Sequence, residues 1–432
     1  MAGFGNALFA EENATVMVSI RPARRLLVPV DSDAAQQIIG PNYDEFQSDR
    51  EVWELIRRQP HSILRVTMPH CDVPHADAIG AEGDERMLAR AAANLRELIQ
   101  GPLTRTLRDA LFIYEIRGAR NPQVRQIGLG GMFLTDEIRR EERPQGVVIR
   151  NEGIREAKAR GRARLIEHTR SLIGIVNLAV EDPQERFATL LEEVADRRAA
   201  DFAATDEAGN RHAVWLVDDP GQIGRLQAAM AAIPLAFVAD GNHRSAAAAL
   251  LGLPEYLAVA FTTSRMGLAP YNRLVRDFPR VVDDWPAALG ERFEVRVLGD
   301  LPAFRPERVH RIGFYADRCW LELTPRDGVF DPRNAVESID AEIVQRHVFD
   351  AVMGITDPKD ERLTFVGGNR DSAYLKQMVD SGAYRCAISL APVTMEQFVA
   401  VCKQNRFMPP KSTWFDPKIR SGLVIALLDE AG

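Results

Sequence analysis

Five residues, Asp240 to Arg244, all polar except Gly241, stand between an apolar run and an alanine-rich run in "FVADGNHRSAAAALLG" (237–252). The apolar run predicts a buried strand, and the alanines predict a helix whose first turn carries the polar residues. A helix start offers unpaired N–H groups and the positive end of the helix dipole, so it can hold a phosphate. Gly241 allows the sharp turn, and Arg244 can bond two phosphate oxygens at once.

The side chains of this motif could also take part in chemistry. His243 can donate a hydrogen bond or move a proton near neutral pH. Asp240 can hold a metal ion or orient His243, and Asn242 is a further candidate for phosphate binding. The plainer alternative is that Asp240 or Asn242 caps the helix and that Arg244 is a surface charge.

A second motif, "RNEGIREAKARGRARLIEHTRS" (150–171), forms a basic stripe in an otherwise acidic chain. Such a stripe suits an anionic ligand, and we include Arg162 among its candidates for phosphate binding. Glu152 stands just before the predicted helix and could act as a general base toward a hydroxyl. The alternative is a solvated helix face with charge pairs along it. The cations of the stripe are Arg150, Arg155, Lys158, Arg160, Arg162, Arg164 and Arg170.

A third motif, "MPPKSTWFDPK" (408–418), presents a cation and two hydroxyls behind two prolines. Lys411, Ser412 and Thr413 could clasp a phosphate or carboxylate, although a simple surface turn also explains the composition. Tyr43 and Asp44, after Pro41, could form the lip of a cleft.

Other motifs give less. The chain has no GxxxxGK[ST] loop and no GxSxG elbow, and "GLGG" (128–131) is too short for a dinucleotide fingerprint. His70 and His75 flank Cys71 in "PHCDVPHADA", but the spacing matches no known metal site and predicts a loop.

Composition limits the class of protein. The 432 residues suffice for two or three domains, and 46% hydrophobic with 27% charged residues is ordinary for a globular chain. A net charge of −7 argues against non-specific nucleic-acid binding. Four scattered cysteines without a CxxC pair fit a reducing compartment. The first residues contain no basic leader and apolar run, and no stretch is long enough to span a membrane, so we predict a cytoplasmic protein.

Strands and helices are interleaved, which predicts an α+β fold of mixed sheets with helices. Predicted helices cover 84–101, 154–170, 183–198, 218–234, 338–353, 370–381 and 394–404. Predicted strands cover 110–118, 126–135, 212–217, 255–263, 362–368 and 385–392, with a hairpin in 310–323. A soft boundary near 280–305 divides an N-terminal domain (1–282) from a C-terminal α+β region (283–432). The last segment, 408–425, is expected to return to the cleft.

Taken together, "NYDEF", "NEGIREAKARGRARLI", "VADGNHRSAAA" and "MPPKSTWFDPKIRSGLV" resemble the domain-of-unknown-function family one-thousand-fifteen along nearly the whole chain. The Asp-Gly-x-His-Arg element is similar to that of the ParB-like superfamily. Within it, the free-serine kinase presents a Glu-bearing motif, then Asp-Gly-His-His-Arg, then a late Pro-Lys-Thr-Thr segment. The resemblance implies a ParB-like phosphate-binding core in the N-terminal domain.

The same resemblance implies a phosphotransferase that moves phosphate from a nucleotide or pyrophosphate to a small hydroxyl metabolite. Glu152 would be the base. The α-helix start with Arg244, Lys411 and Mg²⁺ near Asp240 would hold the transferred group, and Ser412 and Thr413 would orient the substrate.

Departures from the family pattern leave a second hypothesis open. The family has His before the glutamate and again in the Asp-Gly motif, where this chain has Asn151 and Asn242. Ile154 stands in place of a Thr, and Ser245 in place of an aromatic residue. Either an altered substrate pocket or lost catalysis with retained ligand binding would explain these changes. Asn151 and Asn242 favour a non-catalytic nucleotide-binding regulator of the ParB-like type, which would keep the phosphate cradle without a base. DNA binding is not expected, and the oligomeric state is not predicted.

Overall fold

A computed structural model describes residues 17–428, apart from the side chain of Asp44. The expectations on the first sixteen residues and on Asp44 as a cleft residue therefore lie outside the described part of the chain. The predicted α+β class is confirmed, because helices cover several mixed sheets.

Twenty strands follow one another within residues 17–428. They are β1 Ile20–Arg21, β2 Ala23–Pro29, β3 Thr104–Gly118, β4 Asn121–Leu134, β5 Val148–Arg150, β6 Ser171–Leu172, β7 Val176–Val180, β8 Phe202–Thr205, β9 Arg211–Val217, β10 Ala236–Asp240, β11 Glu255–Thr262, β12 Leu268–Ala269, β13 Asn272–Val275, β14 Phe293–Gly299, β15 Ile312–Ala316, β16 Cys319–Pro325, β17 Leu363–Val366, β18 Cys386–Ser389, β19 Trp414–Phe415 and β20 Ile425–Leu427.

The described part of the chain also contains twelve α-helices, interspersed among these strands. They are α1 Ser32–Ile38, α2 Asp49–Arg58, α3 Leu64–Thr67, α4 Glu85–Gln100, α5 Glu156–Thr169, α6 Arg186–Ala195, α7 Pro220–Met230, α8 Asn242–Leu250, α9 Trp285–Gly290, α10 Asp340–Val344 (continued as a π-helix to Met353), α11 Ser372–Asp380 and α12 Met395–Lys403. Short 3-10 turns at Tyr43–Glu45 and Pro69–Cys71 belong to the site region.

A twelve-stranded sheet forms most of the first part of the molecule. Its main path runs β5-β10-β7-β11-β4-β3-β2-β20-β6, with β1, β8 and β9 joined at its side. The hairpin of β3 and β4 is longer than the predicted strands, since the first half of β3 is polar and exposed and pairs with β2. Gly130 is required in β4, because a Cβ there would lie 2.2 Å from the ring of Phe112.

A six-stranded sheet, β14-β16-β15-β18-β13-β17, forms the second part. The predicted hairpin is β15 and β16, joined through Asp317 and Arg318, whose φ angles are 48° and 59°. The division at residue 283 stays a prediction. Strand β13 belongs to this second sheet although it precedes that position.

The tail of the chain runs back over the first part. Strand β19 pairs with β12, and β20 pairs with both β2 and β6 of the large sheet. Between them, the Arg420 guanidinium bonds the carboxylates of Glu45 and Asp206 at 2.7 to 3.0 Å. Within residues 17–428, no helix combines the length and apolar character needed to cross a bilayer.

Candidate functional site

Two neighbouring parallel strands place the Glu152 and Asp-Gly-Asn motifs side by side. Strands β5 and β10 pair in parallel, with Arg150 opposite Val238. Their carboxyl ends therefore lie at one sheet edge, where ligands commonly bind in open α/β sheets. The segment before β19 reaches the same edge. The resulting cavity has a volume of about 50 Å³ and is lined by Tyr43, Glu152, Arg155, Lys158, Asp240, Gly241, Asn242, His243, Arg244 and Lys411.

The turn from β10 into α8 depends on Gly241. Its φ is 102°, which side-chain-bearing residues rarely adopt. A Cβ at this position would also lie 2.9 Å from Nε of Arg244 and 3.2 Å from the Cα of Val176. The backbone at Gly241 therefore lines the cavity together with residues of the first turn of α8.

Glu152 is held at the mouth of the cavity by the tail. Its Oε1 accepts a hydrogen bond from the backbone N–H of Lys411 at 3.2 Å. The guanidinium of Arg273 also lies near Glu152. Burial lowers the pKa of this guanidinium to about 10, while Tyr271 and the Glu152 carboxylate oppose that shift. Arg273 donates to the backbone carbonyls of Tyr271 and Pro410. The Glu152 carboxylate thus contacts the Lys411 backbone and lies near the buried Arg273 guanidinium.

Arg244 is less open than the sequence suggested. Its side chain is only 9% exposed, and Nη2 lies 3.0 Å from Oδ2 of Asp240. The guanidinium also donates to the carbonyl of Ile175 and lies 3.5 Å from Oδ1 of Asn42. Lys418 adds a second cation 3.5 Å from Asp240. Arg244 therefore lines the cavity and at the same time fixes Asp240.

His243 contacts the start of the basic helix, α5. Its Nε2 accepts the backbone N–H of Arg155 at 3.0 Å, in the residue that caps α5. An accepting Nε2 carries no proton, so a neutral imidazole in this arrangement has its proton on Nδ1. In this position His243 couples α8 to α5.

The two asparagines that depart from the family pattern contact each other. Asn242 Nδ2 donates to Asn151 Oδ1 at 2.8 Å, and Asn151 Nδ2 donates to Thr413 Oγ1 at 3.4 Å. Asn242 Oδ1 is buried and has no hydrogen-bond partner among the described residues, although its residue lines the cavity. Ser412, in contrast, donates its hydroxyl to the carbonyl of Pro409 at 2.7 Å. Ser412 and Thr413 are close to the cavity without lining it.

A second and larger cavity adjoins the first. Its volume is about 900 Å³, and the two cavities share Tyr43, Arg155, Lys158 and Lys411. Arg162 lines the larger one: its guanidinium stacks 3.7 Å from the Tyr43 ring centre and bonds Glu82 at 2.8 Å. Aromatic residues Tyr271 and Trp414 line it as well, packed edge to face.

The structure adds residues that the sequence predictions did not place in the site. Arg155 and Lys158 were part of the basic stripe, and their positions on the cavity-facing side of α5 follow from the packing of α5 on α8. Lys418 is the last residue of the third motif but was not among the predicted site residues, and Arg273 lies outside the three motifs. Both are buried cations that contact the site from behind.

Mg²⁺ would have two carboxylates available in the small cavity. Glu152 and Asp240 both line it, and Mg²⁺ is commonly bound through one or two carboxylates together with phosphate oxygens. At Asp240 the ion would compete with Arg244 and Lys418, which already neutralise that carboxylate. The donor set fits the ion, with Glu152 as its more accessible carboxylate.

The chain belongs to the family described as "Protein of unknown function (DUF1015)", whose model matches residues 20–346. No curated protein has a significantly similar sequence. Eight chains of solved structures are similar in part, including the three that follow. The free serine kinase in complex with AMP is 13% identical, with a TM-score of 0.34, and the match covers 62% of this chain and 83% of that chain. SbnI with C-terminal truncation from Staphylococcus aureus is 10% identical (TM-score 0.37; 69% and 87% covered). A conserved hypothetical protein from Pyrococcus furiosus is 11% identical (TM-score 0.33; 65% and 92% covered).

Proposed function

We propose that this protein is a phosphotransferase that moves a phosphoryl group from a nucleotide or pyrophosphate to a hydroxyl of a small metabolite. One observation supports this function above others. A half-buried carboxylate, Glu152, and the amide-bearing start of α8 line the same small cavity, together with cations from α5 and the tail. Phosphoryl transfer needs such positioning and charge neutralisation more than covalent chemistry.

The small cavity suits the transferred group. Its volume of about 50 Å³ holds a few water molecules, and therefore a phosphoryl group better than a whole nucleotide. Residues of the first turn of α8 line this cavity, and the N–H groups of a helix start that have no intrahelical partner would bind the phosphate. Arg155, Lys158 and Lys411 line the junction between both cavities, where they would neutralise charge developing on the transferred oxygens.

The larger cavity suits the rest of the reactants. At about 900 Å³ it lies within the usual size range of ligand sites, roughly 300–1,000 Å³. A hydroxyl presented from this side would reach Glu152, which lines the small cavity, by passing the shared residues Arg155, Lys158 and Lys411. Glu152 would take the hydroxyl proton while the oxygen bonds to phosphorus and the bond from phosphorus to the leaving nucleotide or phosphate oxygen breaks. Mg²⁺, if bound, would supply additional neutralisation of phosphate charge.

A second candidate is a nucleotide-binding regulator without turnover. The observation that favours it is the engagement of the motif side chains inside the protein. His243 Nε2 already accepts the N–H of Arg155, and Asn242 is paired with Asn151. These bonds would hold a phosphate cradle in shape without any catalytic proton transfer.

The Glu152→Gln variant tests the catalytic proposal. The amide keeps the size of the side chain and can still accept from the N–H of Lys411, but it cannot act as a base. We expect turnover to fall at least about 100-fold, the usual contribution of a general base, with ADP affinity nearly unchanged. Phosphorus NMR with ATP or pyrophosphate and a panel of hydroxyl metabolites measures turnover, and calorimetry measures ADP binding.

Glu156→Gln is the matched control. Glu156 lies four residues further along, pairs with Arg160 on the exposed side of α5, and should leave turnover unchanged. Full turnover by Glu152→Gln would exclude Glu152 as the base. Tight ADP binding without turnover in the wild-type protein across the panel would favour the regulator.

A further inference from the structure

A cluster of three potential metal ligands lies on the wall of the large cavity, away from Glu152. Asp49 is the first residue of α2, and His70 and Cys71 belong to the 3-10 turn Pro69–Cys71. One ligand atom of each residue lies within 4.8 Å of those of the other two. His70 Nε2 is 3.3 Å from Oδ1 of Asp49. The chain brings together residues that are 21 positions apart, which the spacing within "PHCDVPHADA" could not show.

The donor atoms form a set that zinc prefers. Nitrogen, sulfur and carboxylate oxygen around Zn²⁺ lie roughly 2.0–2.3 Å from the ion, which places tetrahedral ligand atoms about 3.3–3.8 Å apart. The cluster therefore needs only small side-chain shifts to close on an ion. Two of its members are already held in place, since His70 is 2% exposed and Cys71 is fully buried. Backbone hydrogen bonds of the turn fix the positions of His70 and Cys71; the Cys71 N–H, for example, donates to the Met68 carbonyl at 3.0 Å.

The cluster is open toward the large cavity on the side of Asp49, its third member. Asp49, His70 and Glu82 all line the large cavity, so a water molecule could complete the coordination from there. Glu82 adds negative charge nearby, while its carboxylate bonds Arg162. A nucleophilic role for Cys71 does not fit the same geometry, because the thiol is sealed from the cavity and reactive cysteines are partly exposed.

We propose that Asp49, His70 and Cys71 bind one Zn²⁺ ion with a water molecule in the fourth position. The ion would tie α2 to the Pro69–Cys71 turn and so brace the wall on which Arg162 stacks against Tyr43. Binding replaces the thiol proton of Cys71 with a zinc–sulfur bond and releases that proton to solvent. The inference does not depend on phosphotransfer.

Metal content and cobalt spectroscopy on the full-length protein test this site. The protein is stripped with a chelator, dialysed against Zn²⁺ or Co²⁺, and freed of unbound metal. We expect about one zinc per chain, a higher melting temperature with Zn²⁺ than with Mg²⁺, and a near-ultraviolet thiolate-to-cobalt band with Co²⁺. Cys71→Ser should lose the band, whereas Cys402→Ser, which removes another buried cysteine, should keep it.

Asp49→Asn provides a second variant in case Cys71→Ser does not fold. Asp49 lies at an exposed helix start, so this variant should fold and should bind zinc at least about tenfold more weakly, since even groups behind metal ligands contribute that much. Wild-type protein that takes up no zinc, or cobalt-loaded protein without a thiolate band, would overturn the proposal. A band that persists in Cys71→Ser would overturn it as well.

Discussion

Two charged regions of this molecule use the same residue types in opposite ways. In the tail network, Arg420 bonds Glu45 and Asp206, and Asp206 also bonds His212; these side chains are 0 to 12% exposed. In the candidate site, by contrast, the charged side chains line a cavity, and cations outnumber carboxylates there. The cations are Arg155, Lys158, Arg244 and Lys411, and the carboxylates are Glu152 and Asp240.

This difference indicates that the tail network has a structural role and that the candidate site is suited to a ligand. In the tail network, the donors of Arg420 are taken up by Glu45 and Asp206 inside the protein. These bonds hold the tail on the large sheet and are not available to a ligand. An excess of one sign beside open space is an arrangement that an anion completes. The two regions are linked, because the tail network also fixes the Tyr43–Glu45 turn, whose Tyr43 lines both cavities.

The largest expected effect is on stability in the tail network. Arg420→Met leaves the Glu45 and Asp206 carboxylates buried without their cation, which should lower the free energy of unfolding by about 3–5 kcal/mol. Denaturant titration measures it. Arg370→Met is the control, since its pair with Glu51 is long, 3.9 Å, and half exposed, and its loss should cost under about 1 kcal/mol. Equal effects of the two variants would contradict a structural role for the network.

The second largest effect is expected from acid, which should lower the stability contributed by the tail network. Burial lowers the pKa of His212, and bonding to His212 and Arg420 lowers that of Asp206 despite its burial. Both groups take up protons more readily in the unfolded chain. The stability that His212 contributes is therefore present near neutral pH and is lost as pH falls below about 6.5, whereas the contribution of Asp206 is lost only below about 4, the ordinary values of the two side chains.

The slope of this loss can be measured. It should reach about 1.4 kcal/mol per pH unit for each proton taken up on unfolding. Urea titrations from pH 7.5 to 5 should show the slope in the wild-type protein and a shallower one in His212→Gln. An unchanged slope in His212→Gln would assign the acid sensitivity to other groups.

The smallest effect on stability is expected at Asn242. In Asn242→Ala the lost bond to Asn151 is worth about 1 kcal/mol, but the substitution also removes the buried, unpartnered Oδ1. We expect the free energy of unfolding to change by less than about 1 kcal/mol and ADP affinity to fall several-fold. Unfolding experiments and calorimetry measure both. Unchanged ADP affinity would show that Asn242 only joins α8 to the Glu152 segment.

Local sequence patterns were sufficient for most elements and for the choice of motifs. The apolar run before Asp240 and the alanines after Gly241 predict β10 and α8, and both are present. The family resemblance supplied the order of the three motifs. Their meeting at one sheet edge depends on the parallel pairing of β5 with β10, which no local pattern encodes.

Partners from distant segments account for what could not be predicted. Arg244 had the appearance of a free phosphate clamp, yet the Ile175 carbonyl and Asn42 take up part of its donors. Arg420 gave no signal, because Glu45 and Asp206 lie 375 and 214 positions away. Asp49 and His70 were separated by an intervening helix. Such contacts arise from tertiary packing and become visible only in three dimensions.

A crystal structure of the ADP complex tests the central claim most directly. We predict that the terminal phosphate of ADP lies at the start of α8, within hydrogen-bond distance of its backbone N–H groups, with Lys411 or Lys158 on the opposite side and Glu152 facing the large cavity. ADP bound elsewhere, or an empty helix start in crystals grown at saturating ADP, would contradict a phosphate site at this sheet edge.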